Sequence, residues 1–136
     1  MSATVITGVI GSDCHIIGSR LLSIGLEKAG FKVVSLGSAV SQEELINAAI
    51  ETNAAAILVS SIYGQAAIDC EGLRDKCDEA GLKNILLYLG GNLAIGKEDW
   101  GELEKTFIAM GFSRVYPPKT LPAVASADLK KDLGLE

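Results

Sequence analysis

Five short apolar runs recur along the chain, each followed by a stretch whose apolar residues fall at helical spacing. The runs cover residues 5–10, 31–36, 54–60, 85–89 and 114–116. Continuous runs of this length, rather than alternating ones, mark strands covered on both faces. Between them, Leu21, Leu22, Leu26 and Ala29 form a helical stripe that starts near Ser19 and closes at Gly30, a C-cap. Ser41 with Glu44 three residues on is a capping box, opening a helix that turns Leu45, Ala48 and Ala49 inward. Further helices are expected over 65–80, stopped by Gly81, and over 98–110, with Trp100, Leu103, Phe107 and Ile108 on the apolar side. A last one is expected over 122–133.

Five βα units predict an α/β fold, a five-stranded parallel sheet with helices on both faces. The strand order 2-1-3-4-5 of flavodoxin/Rossmann-like folds is the expected one. At 136 residues, with no internal repeat, low-complexity segment or linker, residues 1–136 are expected to form a single domain. Apolar residues make up 49% and charged residues 21%, a globular balance rather than a disordered one. The net charge of −5 argues against nucleic acid or an anionic membrane as the main partner. No run approaches the roughly 20 apolar residues of a membrane span, and the start lacks a basic signal-peptide head. Three cysteines are an odd set in a chain with a full core, so a reducing, cytoplasmic setting is expected.

The chemistry concentrates in Gly11-Ser12-Asp13-Cys14-His15-Ile16-Ile17-Gly18, between the first strand and the first helix. A glycine-flanked polar loop in that place is where open α/β sheets bind ligands. It holds the chain's one histidine, two residues after an aspartate. An acid beside His15 engages one ring nitrogen and leaves the other as a base or metal ligand. In the expected strand order, the loops after strands 1, 3 and 4 share one edge. They are Gly11–Gly18, Ser60-Ser61-Ile62-Tyr63-Gly64, and Gly90-Gly91-Asn92-Leu93-Ala94-Ile95-Gly96. Glycines let a ligand approach the backbone, and serines offer hydroxyls within that crevice.

Three motifs carry a resemblance: Asp13-x-His15-x-x-Gly18, Ser60-x-Ile62 and Gly90-Gly91. Together they are similar to the D-x-H-x-x-G, S-x-L, G-G signature of the cobalamin-binding domains of mutases and methyltransferases. Between Gly18 and Ser60 lie 41 residues, and between Ile62 and Gly90 lie 27, spacings that also resemble the family's. Ile62 stands where the family usually has leucine, a mild apolar exchange. Over its whole length the chain most resembles the small subunits of the glutamate mutase family, through residues 8–15, 60–65, 77–82 and 90–92.

That resemblance implies adenosylcobalamin as cofactor and a radical rearrangement of (S)-glutamate to (2S,3S)-3-methylaspartate. It implies His15 as the lower axial cobalt ligand, in place of the cofactor's own benzimidazole, with Asp13 orienting the ring. Imidazole suits such a metal. Ser60 is expected to hydrogen-bond the displaced base, and Gly90 and Gly91 to leave it room. Ser12, Cys14, Ile16, Gly18, Ser61, Ile62, Asn92, Leu93, Ala94, Ile95, Gly96 and Tyr116 are the further expected cofactor contacts. The chain runs from strand 1 to the fifth helix, so a separate catalytic barrel (epsilon) subunit is the expected partner, two copies of each. Glutamate is expected to sit on that partner. Ile16, Ile17, Ile62 and Tyr63 are placed to cover the corrin or meet the barrel. Gly25, mid-helix, weakens the first helix by about 1 kcal/mol relative to alanine, which fits a segment 11–25 that tightens on cofactor binding.

Other readings remain open at this level. Another cobalamin-dependent mutase of the acyl-CoA type, or a corrinoid methyl-transfer protein, would share the motifs. His15 could instead cap a helix, Gly90-Gly91 could be a tight turn, and Ser60-Ser61 the polar end of a strand. Cys14 reads as a small buried filler, and Cys70 and Cys77, seven apart on one expected helix, as packing residues. A zinc site built from them and His15 would have to join distant elements. Tyr116 could touch the cofactor tail or simply pack. A phosphoacceptor receiver would need aspartate where Ser60 stands and lysine near Tyr116, and a flavodoxin would not place Asp13 against a phosphate.

Overall fold

The computed structural model describes residues 3–10, 17–37, 39–61, 69–91, 100–116 and 122–134. Strands β1 (Thr4–Val9), β2 (Lys32–Ser35), β3 (Ala56–Ser61), β4 (Leu86–Gly91) and β5 (Arg114–Val115) form one sheet. Helices α1 (Ile17–Lys28), α2 (Gln42–Thr52), α3 (Leu73–Glu79), α4 (Trp100–Ala109) and α5 (Pro122–Leu133) complete the described elements. The sheet runs β2-β1-β3-β4-β5 with every pairing parallel, the expected order.

Strand residues alternate between two cores because successive side chains leave opposite faces. Ile6, Ile57, Val59, Leu87 and Leu89 pack with Leu45 and Ala49 of α2, Leu73 and Cys77 of α3 and Phe107 of α4. Val5, Ala56, Leu58 and Tyr88 pack on the opposite face with Leu26 of α1 and with Ala125 and Leu129 of α5. Burial of each large aliphatic side chain contributes about 1.5–3 kcal/mol before the entropy of ordering is set against it.

Local signals set the helix ends. Ser41 accepts from the Glu44 amide at 3.1 Å while the Glu44 carboxylate accepts from the Ser41 amide at 3.2 Å, so the capping box forms as read. At the end of α1 the Phe31 amide donates to the Leu26 carbonyl at 3.1 Å and that of Gly30 to Glu27 at 3.0 Å, a Schellman closure.

Three expectations need correction. The helix expected over 65–80 is not continuous: residues 70–72 make a turn, and α3 begins only at Leu73. Gly72 takes φ 76°, a left-handed conformation that breaks the helical ladder. The Gln42 side-chain amide braces this turn, donating to the carbonyls of Asp69 (2.6 Å) and Glu71 (3.0 Å). Cys70 and Cys77 therefore do not share a helix, although both are buried in the same core. Ile108 lies off the apolar side of α4 and is 44% exposed, because Trp100, Leu103 and Phe107 already fill the stripe. β4 runs two residues past its expected end, so Gly90 and Gly91 are strand residues and not a turn.

Candidate functional site

At the carboxyl edge, Val9, Ser60 and Gly90 stand in one register row across β1, β3 and β4. The Tyr116 amide donates to the Leu89 carbonyl at 2.8 Å, which places Tyr116 next to Gly90. By strand alternation this row faces α1 and α5, whereas Ser61 and Gly91 point to the opposite core. Each doublet is thus divided between the two faces.

The row below it, Thr7, Leu58 and Tyr88, is filled by buried side chains. The next row up keeps Val9 buried on β1 but offers a half-buried serine on β3 and a glycine on β4. Among the described residues the Ser60 hydroxyl has no hydrogen-bond partner, and a Cβ on Gly90 would meet only the Tyr116 Cβ, at 3.7 Å. The helices opposite bring Leu26 and Leu129 to this face, with smaller residues between them. Ser23 of α1 lies buried with its hydroxyl 2.9 Å from that of Thr7, and Ala125 and Ser126 of α5 are buried. A slot bounded by small and hydroxyl-bearing residues can take a flat heterocycle and offer it a hydrogen bond.

Tyr116 is held to one side of that slot. Its hydroxyl donates to Asp128 at 2.6 Å, and its ring meets Tyr88 edge-on, with centroids 5.8 Å apart. Arg114 makes a fork on Asp132, at 2.8 and 2.9 Å, and reaches Asp128 at 3.6 Å. The Tyr88 hydroxyl donates to Asp132 as well. The Arg114 hydrogen bonds hold the Asp132 carboxyl down at about 2. Burial, and then the hydrogen bond to an aspartate, push both tyrosine hydroxyls above their ordinary range. This network fastens α5 to β4 and β5. Sequence reading missed Arg114, Asp128 and Asp132; the one local hint was the i, i+4 spacing of the aspartates on a helix.

Of the expected site residues, Ser60, Gly90 and Tyr116 come together on one face of the edge, Ser61 and Gly91 lie beside them, and Gly18 belongs to α1. Ser12, Asp13, Cys14, His15, Ile16, Ile62, Asn92, Leu93, Ala94, Ile95 and Gly96 lie outside the described residues. The points where their segments leave the sheet are adjacent: the Ile10 amide donates to the Ser60 carbonyl at 3.1 Å, and Ser61 pairs with Gly91. Burial pushes the Cys70 thiol up to about 12 and that of Cys77 upward, so neither offers a thiolate. Among the described residues no group of three histidine, cysteine or acidic side chains is placed to hold a metal, and no helix is long and apolar enough to cross a membrane.

Comparison with known proteins matches residues 3–111 to the B12 binding domain. The glutamate mutase sigma subunit of Clostridium tetanomorphum is 57% identical over 133 residues, covering 98% of this chain and 97% of its own. Two solved structures share the fold. A cobalamin-binding protein from Desulfitobacterium hafniense superposes with a TM-score of 0.78 at 19% identity, over 96% of this chain and 59% of that one. The monomethylamine corrinoid protein of Methanosarcina barkeri gives 0.77 at 22% identity, over 95% and 57%.

Proposed function

Because the chain belongs to the B12-binding domain family, and within it to the glutamate mutase sigma subunits, we propose that it holds adenosylcobalamin for the glutamate mutase reaction. The observation that carries this reading is the Ser60–Gly90 row, a hydroxyl beside a residue without a side chain at the carboxyl edge, opposite α1 and α5. The residues present fit a nucleotide base: Ser60 offers a hydroxyl donor, and Gly90 beside it carries no side chain.

In this proposal Gly90 would leave room for the cofactor's nucleotide base, and the Ser60 hydroxyl would donate to a ring nitrogen of it. His15 would ligate the cobalt, and Asp13 would accept from the other imidazole nitrogen, fixing the tautomer and raising the basicity of the ligating one. Gly18, in the first turn of α1, lets the loop approach closely. Ser12, Cys14, Ile16, Ser61, Ile62, Gly91 and the segment from Asn92 to Gly96 line the cofactor. Bound adenosylcobalamin supplies radicals by homolysis of its cobalt–carbon bond. The chain's own part is to bind, orient and exclude water, as one domain over residues 1–136, in the cytoplasm. A barrel (epsilon) subunit, two copies with two of this chain, binds (S)-glutamate and completes its rearrangement to (2S,3S)-3-methylaspartate.

The test is reconstitution: this chain, a glutamate mutase barrel subunit, adenosylcobalamin and (S)-glutamate, followed by proton NMR. Methylaspartate is expected only when all four are present. Cobalamin binding without product would overturn the glutamate assignment.

A further inference from the structure

We propose that Asp128 is a positioning residue: by accepting the Tyr116 hydroxyl, it holds that ring against Tyr88 and keeps the space over Gly90 open for the base of the cofactor's nucleotide tail. The inference rests on the cobalamin reading above and adds a determinant that none of the three motifs contains.

The geometry carries it in three steps. Tyr116 flanks Gly90 at the carboxyl edge, yet only its Cβ comes within 4 Å of the place a Gly90 side chain would take. The ring is directed back along the sheet, where it meets Tyr88, two residues before Gly90 on the same face of β4. A tyrosine ring has few staggered alternatives, and with the Tyr116 Cβ only 3.7 Å from the Gly90 Cβ position, the bare backbone of Gly90 borders the space open to a ring released from Tyr88. The 2.6 Å bond to Asp128 selects against that release, since the hydroxyl would lose a charged acceptor.

Asp128 is itself set by its surroundings. Arg114 spends its forked hydrogen bonds on Asp132 and reaches only the Oδ1 oxygen of Asp128, at 3.6 Å. The Oδ2 oxygen is the one that Tyr116 uses. The anchor thus belongs to β5 and α5, while the surface it clears belongs to β3 and β4.

The experiment compares two ligands on the complex with the barrel subunit: aquocobalamin, and cobinamide, the same corrin without its nucleotide tail. Quenching of Trp100, the one tryptophan of this chain, reports binding when the barrel's tryptophans are replaced. Wild type is expected to bind cobalamin more tightly than cobinamide. Asp128→Ala is expected to lose about tenfold in cobalamin affinity, the weight of one charge-assisted hydrogen bond, and less than about twofold for cobinamide. Asp128→Asn keeps an acceptor oxygen and is expected to restore most of the loss.

Equal losses for both ligands, no loss for either, or an Asn variant as weak as the Ala variant would overturn the proposal while leaving the cobalamin reading intact. A wild type that binds neither ligand would overturn the cobalamin reading, and the proposal with it. Should Asp128→Ala not fold, Tyr116→Phe removes the donor and leaves Arg114 its partners. The same tail-selective loss is expected from it, and an unchanged cobalamin affinity contradicts the proposal.

Discussion

Ser60 and Gly90 are direct partners on β3 and β4, and at that pair the α1/α5 face of the sheet changes from large side chains to almost none. One row below, Leu58 pairs with Tyr88 and both are buried. Val9 stays buried on β1 in the same row, so the opening is confined to β3 and β4, at the carboxyl edge where α/β sheets bind ligands.

Filling that slot should separate folding from binding. Alanine at Gly90 would make an ordinary 3.7 Å contact with the Tyr116 Cβ. Gly90→Ala is therefore expected to keep its unfolding free energy within about 0.5 kcal/mol of wild type. Gly90→Leu extends into the space over the row and should lower cobalamin affinity at least about tenfold, with cobinamide binding retained. Parallel titrations of the two ligands check this.

The core under α2 is close-packed, with Leu45 fully buried against Gly8 and the β1 side of the sheet. Leu45→Ala should cost about 3 kcal/mol, from lost transfer energy and the cavity left behind. Urea unfolding followed by circular dichroism measures it, and a loss below about 1 kcal/mol would mean that the site collapses around the gap.

Ser41→Ala removes one half of the capping box on α2, where the serine hydroxyl accepts from the Glu44 amide at 3.1 Å. The expected cost is about 1 kcal/mol, and Ser41→Gly should cost less.

Asp132 predicts the acid limb of stability. Its folded carboxyl is held at about 2, against an ordinary 3.8, chiefly by the Arg114 hydrogen bonds. The folded state therefore takes up this proton less readily than the unfolded one. The contribution is complete above about pH 4 and is lost as the pH falls toward 2. Discounted for solvent screening, it amounts to about 1 kcal/mol. Asp132→Asn should lose that amount at neutral pH and differ little from wild type near pH 2, in urea melts at the two pH values.

The topology was legible because continuous apolar runs, the capping box at Ser41 and the closure at Gly30 are local signals, and all agreed on one alternating pattern. The break before α3 was written at Gly72, but the apolar residues on either side kept helical spacing and masked it. β3 and β4 run past their expected ends because Ser61, Gly90 and Gly91 continue the backbone ladder without an apolar side chain to mark it, while the first, second and fifth runs each extend one residue beyond the strand end. Ser60, Gly90 and Tyr116 were found through loop motifs placed on the expected sheet order. Asp128 and Arg114 were not, since their meeting depends on how α5 docks against β5, and no local pattern encodes that.

The proposed function turns on His15 as the cobalt ligand. The most direct measurement is the EPR spectrum of cob(II)alamin bound to this chain, with and without the barrel subunit, using natural and ¹⁵N-histidine-labelled protein. An axial nitrogen splitting that changes with the label and vanishes in His15→Gly is the predicted result. Cobalamin bound with its own benzimidazole still on cobalt, and a spectrum indifferent to the label, would rule out His15 as the ligand.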